Sequence, residues 1–220
     1  MQLIGLLGGT FNPIHFGHLR MAQELAGALK LSKVRFIPSA NPPHKAAPKV
    51  SAQQRAEMVQ LAIADNPLFK LDRRELERTG ASYTIDTLIS LREELGKNVS
   101  LCLMMGSDAF TKLDSWHRWE ELLSFCHIIL VQRPNSKTEK LSDKMTAFLS
   151  EHYTENVDDL AEQSAGYIHM QAISAQDISA TKIREKLGIR EKQSAASSTK
   201  YLLPDNVLAY IQQHQLYQSL

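Results

Sequence analysis

One stretch near the N-terminus constrains the fold of this chain more than any other feature. Residues 8–18 read Gly-Gly-Thr-Phe-Asn-Pro-Ile-His-Phe-Gly-His, and they follow a short apolar run at residues 3–7. Such a run is typical of a buried parallel strand. From Leu19 to Leu29, apolar residues then recur at helical spacing. The chain is therefore expected to form a strand, a glycine-rich turn and a helix, in that order.

This order predicts an anion site in the turn. A helix that begins just beyond a strand end directs unpaired N–H groups, and the positive end of its dipole, into the crevice above the sheet. Gly8 and Gly9 let the backbone approach a ligand closely, and the Thr10 hydroxyl adds a donor. If the helix has begun by His15, then His15 and His18 face the same side, where both imidazoles meet one phosphate.

A purely structural interpretation of the same stretch is open. In it the glycines form an ordinary turn, Asn12-Pro13 caps the helix, and both histidines lie in solvent. We expect Asn12-Pro13 to cap the helix in either case. The full combination of eleven residues favours the anion site.

Five further apolar runs alternate with helical patterns, which indicates an α/β fold. We predict a Rossmann-like, doubly wound, mostly parallel sheet with helices on both faces. The predicted strands are residues 33–37, 68–71, 101–105 as the central strand, 127–131, and 167–170 with the alternation of a sheet edge. Helices are predicted at residues 51–63, 82–95, 179–187 and 204–215. Arg73 to Arg78 is expected to form a solvated charged face.

Composition fits one domain spanning residues 1–220, with 43% hydrophobic residues to form its core. We interpret polar residues 135–165 as a surface excursion of that domain. The formal charge of +1, with acids and bases intermixed, argues against nonspecific binding of nucleic acid. Cys102 and Cys126 lie in or beside apolar runs and are expected to be buried thiols in a reducing compartment.

The sequence shows no secretory leader at its start and no apolar run of membrane-spanning length. We therefore expect a cytoplasmic protein with no membrane partner. No cysteine or histidine spacing suggests a zinc site. A serine hydrolase is also excluded, because the sequence has no nucleophile elbow.

Several polar side chains follow the predicted strands and so belong to the edge where doubly wound sheets bind ligands. His44 and Lys45 lie in a proline-stiffened loop after the second strand, and Gly106 and Asp108 follow the central strand. The alternatives are a solvated loop for the first pair and a simple turn residue for Asp108.

Two predicted helix starts and one aromatic pair complete the candidate site. The helix near Tyr83-Thr84 could bind a second anion, such as a carboxylate, or Ser82 or Thr84 could simply cap it. Of two tryptophans at the start of a predicted helical segment, Trp116 is expected to cover a planar ring while Trp119 packs in the core.

The stretch at residues 178–184 predicts another anion-ready helix start, with Ser179 as cap and Arg184 one turn in; an ordinary capped helix is the alternative.

With these motifs in view, the chain resembles the bacterial nicotinate-nucleotide adenylyltransferase family of the nucleotidyltransferase superfamily. The resemblance runs nearly end to end. It rests on residues 8–18, 43–45, 82–84, 106–108 with Trp116, and 178–184. Two positions depart from the family pattern: Asn12 stands where aspartate is usual, and Ala180 where a second serine is common. A metal or ribose role for a carboxylate at position 12 is therefore in doubt.

The resemblance implies that the chain transfers the adenylyl group of ATP to nicotinate mononucleotide, giving deamido-NAD and pyrophosphate. Mg²⁺ would be carried mainly by the ATP phosphates, with no protein metal site. The implied catalytic residues are His15, His18 and Arg184. The implied ATP-binding residues are Gly8, Gly9, Thr10, Phe11, His15, His18, Gly106, Asp108, Ile178, Ser179, Thr181 and Arg184. The implied mononucleotide-binding residues are Thr10, Asn12, His44, Lys45, Tyr83, Thr84, Trp116 and Arg133.

Other functions stay open at this point. One is an adenylyltransferase for a different phosphate ester, either nicotinamide mononucleotide or phosphopantetheine, although phosphopantetheine would leave Trp116 and Tyr83-Thr84 without a role. Another is a nucleotide-binding sensor without transferase activity, which only Asn12 favours. A homo-oligomer is equally open.

Overall fold

A computed structural model of the chain describes residues 1–41, 48–132, 141–174, 178–188 and 199–218. Seven strands within these residues form one sheet in which every pairing is parallel. The strands are β1 (Gln2–Gly9), β2 (Lys33–Pro38), β3 (Phe69–Leu71), β4 (Val99–Gly106), β5 (His127–Gln132), β6 (Tyr153–Thr154) and β7 (Ile168–Ala172). The predicted α/β fold with a parallel sheet is confirmed.

Nine α-helices lie among the described residues. They are α1 (Phe16–Ala28), α2 (Ala52–Ile63), α3 (Arg74–Glu77), α4 (Thr84–Leu95), α5 (Ser107–Phe110), α6 (Asp143–His152), α7 (Asp159–Glu162), α8 (Ala180–Leu187) and α9 (Asp205–Gln213). Two 3-10 helices, Leu113–Ser115 and Trp119–Ser124, connect α5 to β5.

The strand order is β3-β2-β1-β4-β5-β7-β6, so the chain builds the sheet outward from β1 in one direction and then outward from β4 in the other. The point where the winding reverses lies between β1 and β4, and doubly wound sheets bind ligands above the carboxyl ends of the strands at such a point. Strand β4 is the middle strand, as its continuous apolar sequence predicts.

The two faces of the sheet bury separate apolar clusters. On β4, Cys102 and Met104 belong to one cluster, whereas Leu101, Leu103 and Met105 belong to the other. Helices α1, α2, α8 and α9 add buried residues to the first cluster, and α4 and α6 add them to the second. Both faces are therefore covered by helices, which explains why the inner strands are apolar on both sides.

Local sequence signals fix several helix ends. Ser51 and Gln54 form the predicted capping box at the start of α2, with each side chain bonded to the other residue's backbone N–H. Gly96 ends α4 at a φ of 73°, a left-handed value that glycine adopts without steric cost. Gly188 ends α8, as predicted.

The expected sheet edge at residues 167–170 is wrong, because β6 pairs with β7 and lies outside it. Strand β6 belongs to the segment expected to be a surface excursion, residues 135–165, of which the structure describes residues 141–165. In that part Met145 and Leu160 are fully buried, at 0% exposure. Strand β6 has only two residues and no apolar run, so no periodic pattern predicts it.

Cys102 and Cys126 are buried free thiols, as expected. Burial raises the pKa of Cys102 to about 12 and also raises the pKa of Cys126. Both side chains are therefore core residues in their neutral form. No helix among the described residues is long and apolar enough to cross a membrane.

The prediction that Arg73 to Arg78 form a solvated face is wrong for the residues in the middle of this stretch. Arg74 donates to Asp72 at 2.8 Å and to Glu94, and both carboxylates also accept bonds from Arg35, at 3.0 and 2.8 Å. Arg35 lies on β2 and Glu94 on α4, so this four-residue ion network ties the first half of the sheet to α4. The network is long-range, and charge patterning along the sequence does not reveal it.

Replacing Glu94 with glutamine should reduce stability in a pH-dependent way. Hydrogen bonds from Arg35 act against burial and, with a further contribution from Arg74, lower the Glu94 pKa from 4.5 to about 2. A carboxyl whose pKa is lower in the folded state stabilises the fold above its unfolded pKa and loses this contribution as pH falls. Glu94→Gln should therefore be less stable than wild type at pH 7 and lose less stability between about pH 4.5 and 2.

Urea unfolding across this pH range measures the effect, with Glu93→Gln as the matched control because Glu93 is exposed on the same helix. Identical stability profiles for the two variants would contradict the assigned role of Glu94.

Candidate active site

The candidate site begins where β1 and β4 end, at the reversal of the sheet winding. Gly8 and Gly9 are the last residues of β1, and Gly106 is the last of β4. A Cβ added to Gly8 would meet no protein atom within 4 Å, so the backbone borders open space there. A Cβ on Gly9 would lie 3.2 Å from the Phe11 ring. The first glycine thus exposes backbone to a ligand, and the second makes room for a neighbouring side chain.

His15 and His18 form a stacked pair at the start of α1. His15 occupies the N-cap position, and the two ring centroids are 3.8 Å apart with an interplanar angle of 28°. The Phe11 ring contacts His18 edge-on at 5.1 Å, which supports that imidazole from the core side. The geometric expectation that the two histidines face the same side is met. His15 is only 6% exposed, so it is not the solvent histidine of the structural alternative.

Gly17 separates the two histidines for a steric reason that spacing alone does not reveal. A Cβ at Gly17 would lie 3.0 Å from Nδ1 and 3.1 Å from Cε1 of His15. The same Cβ would lie 3.4 Å from Cβ of Ile178. Gly17 therefore lets the His15 ring and the 178–184 motif approach the start of α1 together.

Asn12 does not cap α1, so that expectation is wrong. The Asn12-Pro13 peptide bond is cis, and the helix begins only at Phe16, with His15 before it. The Asn12 carbonyl oxygen instead accepts a 2.8 Å hydrogen bond from Nη1 of Arg184, which is 172 positions away. This bond places Arg184 at the same sheet edge as the histidine pair.

The other residues of the 178–184 motif lie at the N-terminal end of helix α8. Ser179 occupies the predicted N-cap position, but its side chain makes no cap hydrogen bond. Thr181 lies in the first turn, and its Oγ1 accepts a 3.1 Å bond from Nη2 of Arg184. The guanidinium of Arg184 is thus held by one hydroxyl and one carbonyl, neither of which neutralises its charge.

Asp108 lies in the short helix α5 directly after β4. Its side chain is exposed at the carboxyl edge, and its Oδ1 would be 2.7 Å from a Cβ on Gly106. Position 106 therefore needs glycine for Asp108 to fold back over the strand end. The carboxylate is available to hydroxyl groups of a ligand, such as those of a ribose.

The start of α4 is built differently from the sequence expectation. Tyr83 takes the cap position without a side-chain cap bond, and Thr84 is the first helical residue. Ser82 is not a cap either, because its Oγ accepts bonds from the backbone N–H groups of Ala40 and Asn41 at 3.0 and 3.1 Å. The Tyr83 N–H donates to the Ala81 carbonyl. The unpaired N–H groups at this helix start are therefore those of the first helical turn.

Trp119 packs in the core at 8% exposure, as predicted. Trp116 lies before it, between the two 3-10 helices, and is partly exposed beside the second apolar cluster. Its neighbour His117 contacts the Tyr83 ring, with centroids 4.4 Å apart. This contact brings the Trp116 segment to the start of α4, and His117 had no sequence signal.

Glu75 is a buried carboxyl beneath the start of α4. Its Oε1 accepts a 2.8 Å bond from the Thr87 hydroxyl, and only 8% of the residue is exposed. Burial raises the Glu75 pKa despite the bonds from Thr87 and Ser82. Sequence reasoning placed Glu75 on a solvated face, so its support of α4 is a further correction.

Arg55 joins two loops of the site from inside the protein. Its guanidinium donates to the carbonyl oxygens of Thr10 and, at 2.7 Å, Ser39, which follow β1 and β2. The residue is 1% exposed, and burial lowers its pKa. No motif includes Arg55, because its partners are backbone atoms 45 and 16 positions away.

Three predicted site residues, His44, Lys45 and Arg133, lie outside the described residues. Within residues 1–41, 48–132, 141–174, 178–188 and 199–218, no group of three or more histidine, cysteine or acidic side chains could hold a metal ion.

A family model described as cytidylyltransferase-like matches residues 6–186. A relative from Halorhodospira halophila is 45% identical over 94% of this chain and 91% of its own length. Another from Aeromonas salmonicida is 45% identical over 98% of this chain and 97% of its own length. Both are named as probable nicotinate-nucleotide adenylyltransferases.

Solved structures share the fold at much lower identity. The nicotinic acid mononucleotide adenylyltransferase of Plasmodium falciparum, complexed with NaAD, matches with a TM-score of 0.71 at 18% identity. The match covers 99% of this chain and 98% of that one. The same protein complexed with APC matches with a TM-score of 0.70 at 17% identity.

Replacing Gly17 with alanine should displace His15 from its stack. The new Cβ would approach the imidazole to 3.0 Å, so the ring or the α1 start must move. We expect the free energy of unfolding to fall by about 1–3 kcal/mol, as for other overpacked sites. The imidazole proton signals of His15 and His18 should both shift in the NMR spectrum.

Gly27→Ala is the matched control, because Gly27 lies in the same helix and its added Cβ would meet no atom within 4 Å. That variant should leave the histidine signals unchanged and gain about 1 kcal/mol of stability from helix propensity. Equal stabilisation of both variants, with unchanged histidine signals, would contradict the steric role of Gly17.

Proposed function

Because the chain belongs to the cytidylyltransferase-like family and, within it, to the nicotinate-nucleotide adenylyltransferases, we propose that it joins nicotinate mononucleotide to ATP. The products are deamido-NAD and pyrophosphate, and the reaction serves NAD biosynthesis. The structural observation that carries the proposal is the 2.8 Å hydrogen bond between Arg184 and Asn12. It joins the 178–184 motif to residues 8–18, the histidine loop. Arg184 and the histidine pair, which come from distant parts of the sequence, thereby belong to one crevice.

The proposed chemistry is an in-line displacement at phosphorus. A 5′-phosphate oxygen of the mononucleotide attacks the α-phosphorus of ATP, and the bond from that phosphorus to the pyrophosphate oxygen breaks. The nucleophile is already an anion and pyrophosphate is a good leaving group, so the step needs neither a protein base nor a covalent intermediate. The protein contributes by positioning the reactants and stabilising charge.

His15, His18 and Arg184 are the proposed catalytic residues. The stacked imidazoles direct donors to one side of the loop, and the guanidinium adds a full positive charge. Backbone at Gly8, which borders open space, can approach the triphosphate. The remaining proposed ATP contacts are Gly9, Thr10, Phe11, Gly106, Asp108, Ile178, Ser179 and Thr181.

ATP would enter as its Mg²⁺ complex, with the ion held by phosphate oxygens. The protein residues then act on the phosphate oxygens that the ion leaves uncovered. Because this reaction consumes ATP, we also propose a cytoplasmic location for the enzyme.

The mononucleotide would lie across the neighbouring part of the crevice. Its pyridine ring would stack on Trp116. Its carboxylate would accept hydrogen bonds from N–H groups at the start of α4, near Tyr83 and Thr84. The His117–Tyr83 contact supports this arrangement, because it brings both segments together. Thr10, Asn12, His44, Lys45 and Arg133 are the other proposed contacts of the mononucleotide.

Replacing His18 with alanine tests the catalytic assignment. Wild-type protein incubated with ATP, magnesium and nicotinate mononucleotide should release pyrophosphate. His18→Ala should lower kcat by about 10²-fold or more, by analogy with the loss of one preorganised donor. His152→Ala is the control, because His152 lies on α6 next to the edge strand β6 and should turn over normally.

Unchanged kcat in His18→Ala would contradict the mechanism. A wild-type protein that binds ATP but releases no pyrophosphate would instead favour the nucleotide-binding sensor. Release with phosphopantetheine and not with either mononucleotide would change the assigned acceptor.

Preference for the acid over the amide mononucleotide is a separate prediction. Backbone donors suit a carboxylate, whereas an amide NH₂ would place donor against donor and leave a buried N–H unpaired. Each mismatch costs about 1–3 kcal/mol, so two would give roughly tenfold to ten-thousandfold preference in kcat/KM. Trp116→Ala should reduce kcat/KM for both substrates and keep most of their ratio, because stacking barely distinguishes acid from amide.

Tyr153→Ala is the control for loss of an exposed aromatic ring, since Tyr153 lies in edge strand β6 at 41% exposure. It should change neither kcat/KM nor the ratio. Equal use of acid and amide by the wild type would refute the role given to the α4 donors.

A further inference from the structure

The C-terminal segment returns to the histidine loop, which the side chain of Tyr217 contacts. The hydroxyl of Tyr217 donates a 2.8 Å hydrogen bond to Oδ1 of Asn12, across 205 positions of sequence. The Tyr217 side chain also packs against the apolar cluster that contains α1 and α9. This tyrosine is not part of any motif that pointed to the site.

The bond completes the support of Asn12. Nη1 of Arg184 already holds the Asn12 carbonyl oxygen at 2.8 Å, so both the backbone and the side chain of this residue are fixed by distant elements. Arg55 fixes the loop two residues earlier, at the Thr10 carbonyl. Beyond Asn12 the chain reaches His15 within three residues.

The surroundings of Tyr217 keep its hydroxyl protonated, so that it can act as a hydrogen-bond donor. Burial raises the Tyr217 pKa, although the positive charges of Arg184 and Arg55 act in the opposite direction. The phenol therefore stays protonated at neutral pH and can donate to Oδ1. Both arginines that hold the loop are therefore close enough to the Tyr217 hydroxyl to act on it electrostatically.

Between the end of α9 and Tyr217, the backbone forms a turn that brings Tyr217 to the histidine loop. After α9 ends, Gln215 and Tyr217 adopt left-handed φ values of 52° and 64°, which cost energy for residues other than glycine. The Leu216 N–H donates to the Ile211 carbonyl at 3.0 Å and closes the turn. Helix α9 itself is anchored by Val207 and Ile211, which are buried in the core.

We propose that Tyr217 is a positioning residue for the adenylyl transfer, acting through Asn12. By holding the Asn12 side chain, it keeps the loop between Thr10 and His15 in the conformation that receives the mononucleotide. This inference rests on the proposed function and on the proposed contact between Asn12 and the mononucleotide. It makes the last helix and the turn after it part of the active-site construction.

Tyr217→Phe removes the hydroxyl and keeps the ring. In the pyrophosphate-release assay, KM for nicotinate mononucleotide should rise about threefold to tenfold, the equivalent of one neutral hydrogen bond. The kcat should stay within about twofold, because the phosphate-binding cations are unchanged. Tyr210→Phe is the matched control: it removes a phenol that bonds Glu57 from helix α9, which precedes the turn that holds Tyr217, and its KM should stay at the wild-type value.

A second set of variants separates this role from a general effect on folding. In an Asn12→Ala background the acceptor is gone, so Tyr217→Phe should cause no further rise in KM. In an Asn12→Asp background the carboxylate can accept the same bond, and the effect of Tyr217→Phe should return. A merely structural tyrosine would lower the melting temperature in all three backgrounds without this dependence on the acceptor.

The inference is overturned if Tyr217→Phe has the same KM as Tyr210→Phe, or if its effect is as large with Asn12→Ala as with wild-type Asn12. Those results would leave the proposed function intact, since the wild type would still release pyrophosphate. A wild type that releases none with either mononucleotide would refute the proposed function, and this inference with it.

Discussion

The arrangement of the candidate site depends on one buried cation, Arg55. A buried charge is costly unless it is hydrogen-bonded, and among the described residues this guanidinium is bonded to backbone carbonyls rather than to a carboxylate. Those carbonyls belong to Thr10, Ser39 and Ala40, in the loops that follow β1 and β2. Neither loop can change conformation alone without leaving part of a buried charge unsatisfied. The loops after two neighbouring strands therefore behave as one unit.

The same unit extends to the start of α4 through short polar contacts. Asn41 donates from its side chain to the Gly80 carbonyl at 3.1 Å, and its carbonyl accepts from the Ser82 N–H at 3.0 Å. Glu75 supports the helix from below through Thr87. A continuous set of hydrogen bonds thus runs from the phosphate side of the crevice to the side proposed for the pyridine ring. It would give preorganisation to both of the proposed substrate positions.

Sequence reasoning succeeded where function depends on local order along the chain. A strand followed by glycines and a helix start fixes the place of His15 and His18, and the apolar run of β4 fixes the centre of the sheet. It failed where a side chain acts across the fold. Asn12 was assigned to its own helix because asparagine commonly caps helices, yet its partners are Arg184 and Tyr217, both more than 170 positions away. No periodicity or short motif encodes such partners.

The placement of charge explains why a neutral residue at position 12 is compatible with a phosphate site. Away from the crevice, Arg35 and Arg74 are neutralised by Asp72 and Glu94. At the crevice, the hydrogen bonds of Arg55 and Arg184 go to carbonyl and hydroxyl oxygens, which stabilise a guanidinium without cancelling its charge. An aspartate in place of Asn12 could accept the same Tyr217 bond, but it would add a negative charge to the loop that both arginines hold, whereas asparagine leaves their field intact. Positive potential is then concentrated where, in the proposed reaction, a triphosphate and a second phosphate approach each other, and it would reduce the mutual repulsion of those anions before the reaction begins.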